Sequence, residues 1–304
     1  MLVLLSVSLF VVLFKPYEAF ALLPELRTVH LLLGIALTLV ALYGVRTLLW
    51  KNYFFCNQID MPLMVIFSIL TTTTFAGVFL PARASEPLSA LLFHRQTGIG
   101  LAKLLGFALF ERVLTLLNSL VIVYLYLLMD DTLVHSLRDL FKSVGNDSSS
   151  VVLVVLCAIG LFVLLFATLL RRHVVSFLSG CKDILLHPRL MITSILFSVL
   201  YMLTTIAGNY FYILSFPQDS IHWSPGGFAI IAFITSGSIV AGLISLLPTG
   251  LGPGEYSYAA LLVLFGIPAA TASSVVIVVV CLLYLLILGC FLLARWLGYR
   301  HAFS

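Results

Sequence analysis

The chain has 304 residues, 62% of them hydrophobic and 9% charged, with sixteen Lys and Arg against twelve Asp and Glu. Soluble domains run at about 45–50% apolar and roughly a quarter charged, and a soluble chain of this composition would lack the polar surface to cover its core. That excludes an ordinary soluble enzyme and a nucleic-acid binder, because the net charge of +4 is spread over connections rather than gathered in a patch. Cys56, Cys157, Cys181, Cys281 and Cys290 contain no CxxC pair, so neither a disulfide scaffold nor a zinc site is indicated.

Crossing a hydrocarbon core of ~30 Å takes ~20 apolar residues. In chain order, the apolar segments are Met1–Phe14, Thr28–Leu49, Met61–Leu80, Leu104–Met129, Val151–Leu170, Leu190–Leu214, Phe228–Leu247 and Ala270–Ala294. Two shorter pieces, Pro87–Phe93 and Glu255–Phe265, follow prolines and glycines. Met1–Phe14 has no basic leader and reads as a short retained helix, although Ala19-Phe20-Ala21 faintly resembles a signal-peptidase site. The polar connection 130–150 reads as an external linker, and the whole chain 1–304 as a single membrane domain.

Basic residues orient these segments. Arg46 and Lys51 fall in one connection, Arg83, Arg95 and Lys103 in the next, Arg171, Arg172, Lys182 and Arg189 in a third, and Arg295 and Arg300 in the tail. By the positive-inside tendency these connections are cytoplasmic. Because both flanks of Met61–Leu80 are basic, that segment is expected to enter and leave on one side. The expected fold is all-α and polytopic: about six full spans, both termini cytoplasmic, and two opposed re-entrant helical hairpins, 61–93 and 228–265.

An internal repeat accompanies this pattern. Phe79-Leu80-Pro81, Glu86, Leu91-Leu92-Phe93 and Gly98-Ile99 precede one long apolar helix. Leu246-Leu247-Pro248, Glu255, Leu262-Val263-Leu264-Phe265 and Gly266-Ile267 precede another. The expected halves are 1–129 and 151–294, an inverted-topology repeat of the kind from which transporters build two opposed gates.

Charged residues at membrane depth are costly and mark functional interiors by default. Glu111 and Arg112 lie about 12 Å along a helix from Lys103. Glu111 has Arg83 as a candidate partner, and Arg112 has Glu86 or Glu255. A buried network that only holds the hairpins would use the same residues. The elbow Pro248-Thr249-Gly250-Leu251-Gly252-Pro253-Gly254-Glu255 cannot be a continuous helix, and it lines either a polar cavity or a tight interfacial turn. In its counterpart, Pro81 to Pro87, Arg83 and Glu86 share a helical face, and the guanidinium suits either a phosphate or snorkelling to headgroups. Thr71 to Thr74 line a cavity or satisfy their own helix carbonyls, and Asn118 and Thr115 are placed to bond across helices. No nucleotide, nucleophile or metal motif is present in the sequence, and no cofactor is expected.

At the two elbows the sequence resembles the flippase-like membrane domain found in lysylphosphatidylglycerol synthases and in related stand-alone membrane proteins. Pro81, Arg83, Glu86, Glu111 and Arg112 match that family's first elbow and the helix after it, and Pro248, Gly250, Gly252 and Glu255 match the second. Ala82, Ser85, Thr115 and Thr249 depart from the pattern, and Gly254 stands where arginine is common. The resemblance implies a lipid transporter of a bacterial or archaeal cell membrane, moving an anionic phosphate-headed amphiphile between leaflets. Arg83, Glu86, Glu111, Arg112 and Glu255 would face the headgroup, and Pro81, Pro248, Gly250, Gly252 and Gly254 would form the elbows. Two other readings stay open: an accessory subunit bound to a cell-envelope biosynthetic partner, and a membrane enzyme using Glu86, Glu111 or Glu255 as acid or base.

Overall fold

The computed structural model describes residues 26–79, 85–129, 187–216, 221, 224–244 and 253–296. Expectations for Met1–Phe14, the linker 130–150, Val151–Leu170, Pro81, Arg83, Pro248, Gly250 and Gly252 lie outside these residues.

The described elements are helical. They are α1 (Thr28–Leu39), a π-helical turn (Val40–Val45), α2 (Arg46–Cys56), α3 (Leu63–Phe79), α4 (Ser85–Thr97), α5 (Leu101–Met129), α6 (Pro188–Leu214), α7 (Pro225–Ile244), α8 (Pro253–Leu264) and α9 (Ala269–Trp296). Five helices are long and apolar enough to cross a membrane: Thr28–Cys56, Leu101–Met129, Pro188–Leu214, Pro225–Gly242 and Ala269–Trp296. The chain is therefore an all-α polytopic integral membrane protein. In lipid only a helix satisfies its backbone within one segment, which is why apolar runs of this length take this form.

One boundary differs from the sequence expectation. Arg46 and Lys51 do not lie in a connection, because the first described helix continues through the π turn to Cys56. The residues after Arg46 include Leu49, Trp50, Tyr53 and Phe54, all buried. Their aromatic surface draws the helix onward past the point where charge alone suggested an end. The helix stops at Gln58, the one non-glycine residue with positive φ among those described (61°), where Ile59 N–H bonds back to the Phe54 carbonyl. Local chemistry sets the other ends too. Pro188 begins α6, and Ser224 caps α7 by accepting the Gly227 N–H at 3.0 Å.

Two larger apolar cores, with a small third around Ala259 and Val276, organise the described residues. Around Trp50, the Phe93 ring stacks at 4.5 Å and the Phe107 ring sits edge-on at 4.9 Å, with Tyr53 stacked on Phe107 at 4.2 Å. This core joins α2, α3, α4 and α5. The second joins α6, α7, α8 and α9 around Ile213, Ile231, Ile234, Leu262 and Val275.

Helix α6 runs between them, registered by small and polar residues as membrane helices require. Gly34 of α1 faces Gly208, so close that a Cβ on Gly34 would fall 2.8 Å from the Tyr212 ring. Asn52 donates to Thr193 Oγ1 (2.6 Å), Asn118 to Ser198 Oγ (2.8 Å) and Asn209 to Thr235 Oγ1 (3.1 Å). Asn118 thus bonds across helices as expected, whereas Thr115 bonds the Glu111 carbonyl of its own helix. Thr71 and Thr73 likewise satisfy carbonyls of α3.

Helices α3 and α4 pack together, as do α7 and α8. In each pair the tip is a close approach beside a glutamate. A Cβ on Gly77 would meet Ser85 at 2.7 Å, next to Glu86, and a Cβ on Gly254, next to Glu255, would meet Gly242 Cα at 3.2 Å. Gly237 faces Leu261 further along, so α7 and α8 run antiparallel.

Candidate functional site

The site is built where α2, α4 and α5 meet. Arg46 opens α2 directly after the π turn, a helix defect often found at functional positions because the extra residue re-aims the side chains after it. Its Nε donates to Glu111 Oε1 at 2.6 Å and its Nη2 reaches Oε2 at 3.4 Å, a forked pair with both residues buried (8% and 7% exposed). Arg112, next along α5, donates from Nη2 to Glu86 Oε1 in the first turn of α4. Glu86 Oε2 accepts from Ser85 Oγ at 2.9 Å. Each guanidinium lies in the field of both carboxylates, so the four side chains are one cluster of two cations and two anions.

Alternation of sign makes the cluster tolerable at depth. An isolated charge in an apolar interior costs several kcal/mol, and a hydrogen-bonded opposite charge offsets most of that. Adjacent residues on a helix point about 100° apart, so Glu111 and Arg112 turn to different partners: α2 on one side, the α3–α4 pair on the other. One polar atom is left over. Arg112 Nε is buried and makes no hydrogen bond among the described residues, which leaves a donor available to something other than Glu86.

Of the residues singled out from sequence, Glu86, Glu111 and Arg112 are brought together, and the Arg112–Glu86 pairing is one of the two anticipated. Glu111 does not wait for Arg83; it pairs with Arg46. Arg46 was missed because the positive-inside tendency assigned it to a connection. The buried aromatic run from Trp50 to Phe54, at helical spacing behind it, was the signal that it lies inside a helix. Glu255 sits apart from these bonds, in the first turn of α8, close enough to Tyr256 and Tyr284 to act on both. Gly254 has a steric reason to lack a side chain: α7 backbone atoms, Gly242 Cα and Ser238 O, stand 3.2 Å from where its Cβ would be. His94 is engaged in the bend after α4, with Nδ1 2.6 Å from the Ile99 carbonyl oxygen. Among the described residues no group of three or more His, Cys, Asp or Glu is placed to hold a metal ion.

Both arginines carry forked donors, a geometry suited to carboxylate or phosphate oxygens, and both hold carboxylates here. Comparison with known proteins places the chain in a family. No curated protein and no solved structure matches it. A protein-family model, described as the lysylphosphatidylglycerol synthase TM region, matches residues 2–290. That description is of the synthase's transmembrane region, so the synthase reaction is not carried over with the family. By a match over nearly its whole length, the chain belongs to the lysylphosphatidylglycerol synthase transmembrane-region family.

Proposed function

We propose that the protein is a flippase-like lipid transporter that moves an amphiphile with an anionic phosphate head, a phospholipid or an isoprenoid-phosphate-linked lipid, between leaflets. The observation that carries this reading is the quartet of Arg46, Glu86, Glu111 and Arg112, the Arg46–Glu111 pair buried and the Arg112–Glu86 pair partly so, beside the tip of the α3–α4 pair. A phosphate entering beside Arg112 would take over the bond now made by Glu86, and the freed carboxylate would loosen α4 from α5. Binding and hairpin movement would thereby be one event. Arg83 at the first elbow and Glu255 at the second would complete the path.

The proposed topology is six spans with both termini cytoplasmic and two re-entrant hairpins entering from opposite faces, in a bacterial or archaeal cell membrane. Helix lengths support it: α4 with 13 residues and α8 with 12 are only about 20 Å long, against ~30 Å of hydrocarbon. The contact pattern supports an inverted repeat of 1–129 and 151–294. Helix α3 packs on α9, the long helix of the other half, and α7 packs reciprocally on α5; α4 packs on α5 and α8 on α9. Gly98 (φ 70°) and Gly266 (φ 84°), both followed by isoleucine, turn the chain at equivalent points. An inverted pair of hairpins supplies one gate for each leaflet.

The test is headgroup transfer in reconstituted vesicles, with fluorescent phospholipid reporters quenched from outside. Arg112→Ala is expected to abolish transfer while the protein still inserts. Unchanged transfer would remove the role assigned to the quartet and favour a non-transporting accessory subunit.

A further inference from the structure

The quartet has a fourth wall, on α6, that no charge pattern reveals. Three side-chain bonds fix the level of α6 against its neighbours: Asn52 with Thr193 on α2, Thr38 with Tyr212 (3.0 Å) on α1, and Asn118 with Ser198 on α5. Arg46 lies between Thr38 and Asn52 in sequence, and the stretch of α6 facing it lies between Tyr212 and Thr193. Tyr201 falls within that stretch, one turn beyond Ser198 on the same face. Its phenol is close enough to act on both the Arg46 and the Arg112 guanidinium groups.

Tyr201, like Ser194 with its unpartnered buried hydroxyl, has nothing to hold, whereas most polar side chains of α6 do. Ser198, Asn209 and Tyr212 bond to neighbouring helices, and Thr204 and Thr205 bond carbonyls of their own helix, including that of Tyr201. The Tyr201 hydroxyl makes no hydrogen bond among the described residues, and its side chain is only partly buried. On α5, Arg112 Nε is buried with its donor unpaired among the described residues. A phenolic O–H and a guanidinium N–H, neither holding a partner among the described residues, make up a donor set suited to an oxyanion.

We propose that Tyr201 is a headgroup-contact residue that donates its hydroxyl hydrogen bond to a phosphate oxygen of the lipid held by Arg112. The inference rests on the reading of the quartet as the headgroup site and adds a third donor to it, contributed by α6 rather than by either hairpin unit. A hydroxyl donor added to forked guanidinium donors rewards a tetrahedral oxyanion over a planar carboxylate, because a tetrahedral group has an oxygen outside the plane of a forked pair. It also ties the moving α3–α4 pair to a helix that belongs to neither hairpin.

The test uses the full-length protein in nanodiscs, titrated with dihexanoyl-phosphatidylglycerol, with dihexanoylglycerol lacking the phosphate, and with inorganic phosphate. Tyr201→Phe is expected to weaken phosphatidylglycerol binding about tenfold, the worth of one hydrogen bond to a charged acceptor. It should leave dihexanoylglycerol binding and thermal unfolding as in the wild type, while Arg112→Gln removes phosphatidylglycerol binding. Wild-type affinity in Y201F together with loss in R112Q would overturn the role of Tyr201 and leave the headgroup site standing. Wild-type affinity in R112Q would overturn the headgroup site itself. Equal weakening of both lipids by Y201F, or lowered thermal stability, would make Tyr201 a packing residue and overturn the inference. Inorganic phosphate bound as tightly as the lipid would make the ligand a free anion and overturn the assignment to a lipid.

Discussion

Removing one partner of the Arg46–Glu111 pair tests whether the quartet is a coupled unit or a set of independent charges. In Glu111→Leu, Arg46 remains buried beneath its helix neighbours with its Nε partner gone; the pair has two contacts, at 2.6 and 3.4 Å, and 10% or less side-chain exposure on either side. Breaking a buried pair from one side costs about 3–5 kcal/mol, because the survivor is an uncompensated charge. Arg46→Met leaves Glu111 stranded in the same way. The double variant removes both charges and replaces them with apolar side chains of similar volume, a change that is often neutral or stabilising. Each single variant should therefore lose about 3–5 kcal/mol, and the double variant should recover most of it, giving a coupling of several kcal/mol between positions 46 and 111. The assay is reversible unfolding in mixed detergent micelles, followed by the fluorescence of the tryptophans, with Trp50 inside the core that adjoins the pair. Additive losses, with the double variant about as unstable as the two singles summed, would refute the pairing. Transfer activity gives a second axis: the stable double variant should fold and yet fail to move lipid.

The same geometry sets four further outcomes. Gly34→Leu should destabilise the α1–α6 contact by about 1–3 kcal/mol, because the first added carbon already meets the Tyr212 ring at 2.8 Å; detergent unfolding measures it, with Gly289→Ala, where nothing lies within 4 Å, as the innocuous control. Gly254→Arg should separate the tips of α7 and α8, since backbone atoms of α7 stand 3.2 Å from the new Cβ; a spin-label distance between the two helices should lengthen. Gly98→Ala and Gly266→Ala should each cost about 1–2 kcal/mol through the left-handed backbone alone, at φ 70° and 84°, and unfolding of the double variant should show the two losses added, because the bends lie in different halves. Just beyond the first span, Asp60 accepts from Lys51 Nζ at 2.6 Å, and this ammonium holds the carboxyl below its ordinary value of 3.8. A lowered folded-state pKa stabilises above the unfolded value and is lost as pH falls through the folded one. The small contribution of Asp60 should therefore be complete above about pH 4 and vanish in acid, and the pH dependence of unfolding in Asp60→Asn should lack that portion.

The sequence by itself determined the class and most of the helix inventory. Runs such as Leu101–Met129 and Ala269–Trp296 are long, apolar and without breakers, and in lipid a backbone of that kind has one way to satisfy its hydrogen bonds. It also marked Glu111 and Arg112, because ionisable residues in apolar runs stand out without any knowledge of the fold, and Glu86 as part of a proline-flanked elbow, and it paired Arg112 with Glu86 as one of two choices. The partner of Glu111 was beyond it. Arg46 sits 65 positions away in sequence, and two local tendencies compete there, a basic residue favouring a membrane boundary and an aromatic run favouring continued burial. Burial won, since Trp50, Tyr53 and Phe54 gain contacts with Phe93 and Phe107 that exist only after α4 and α5 have packed. The same holds for Tyr201 and for the glycine at position 254. A tyrosine among apolar residues carries no local signal, and although the sequence marked Gly254 as part of an elbow, only the fold brings the α7 backbone to where its side chain would be. Composition and local pattern dictated what had to be buried; only the packing of α2, α4, α5 and α6 against one another decided which charges meet, because pairing is a property of distances across helices and not of spacing along one.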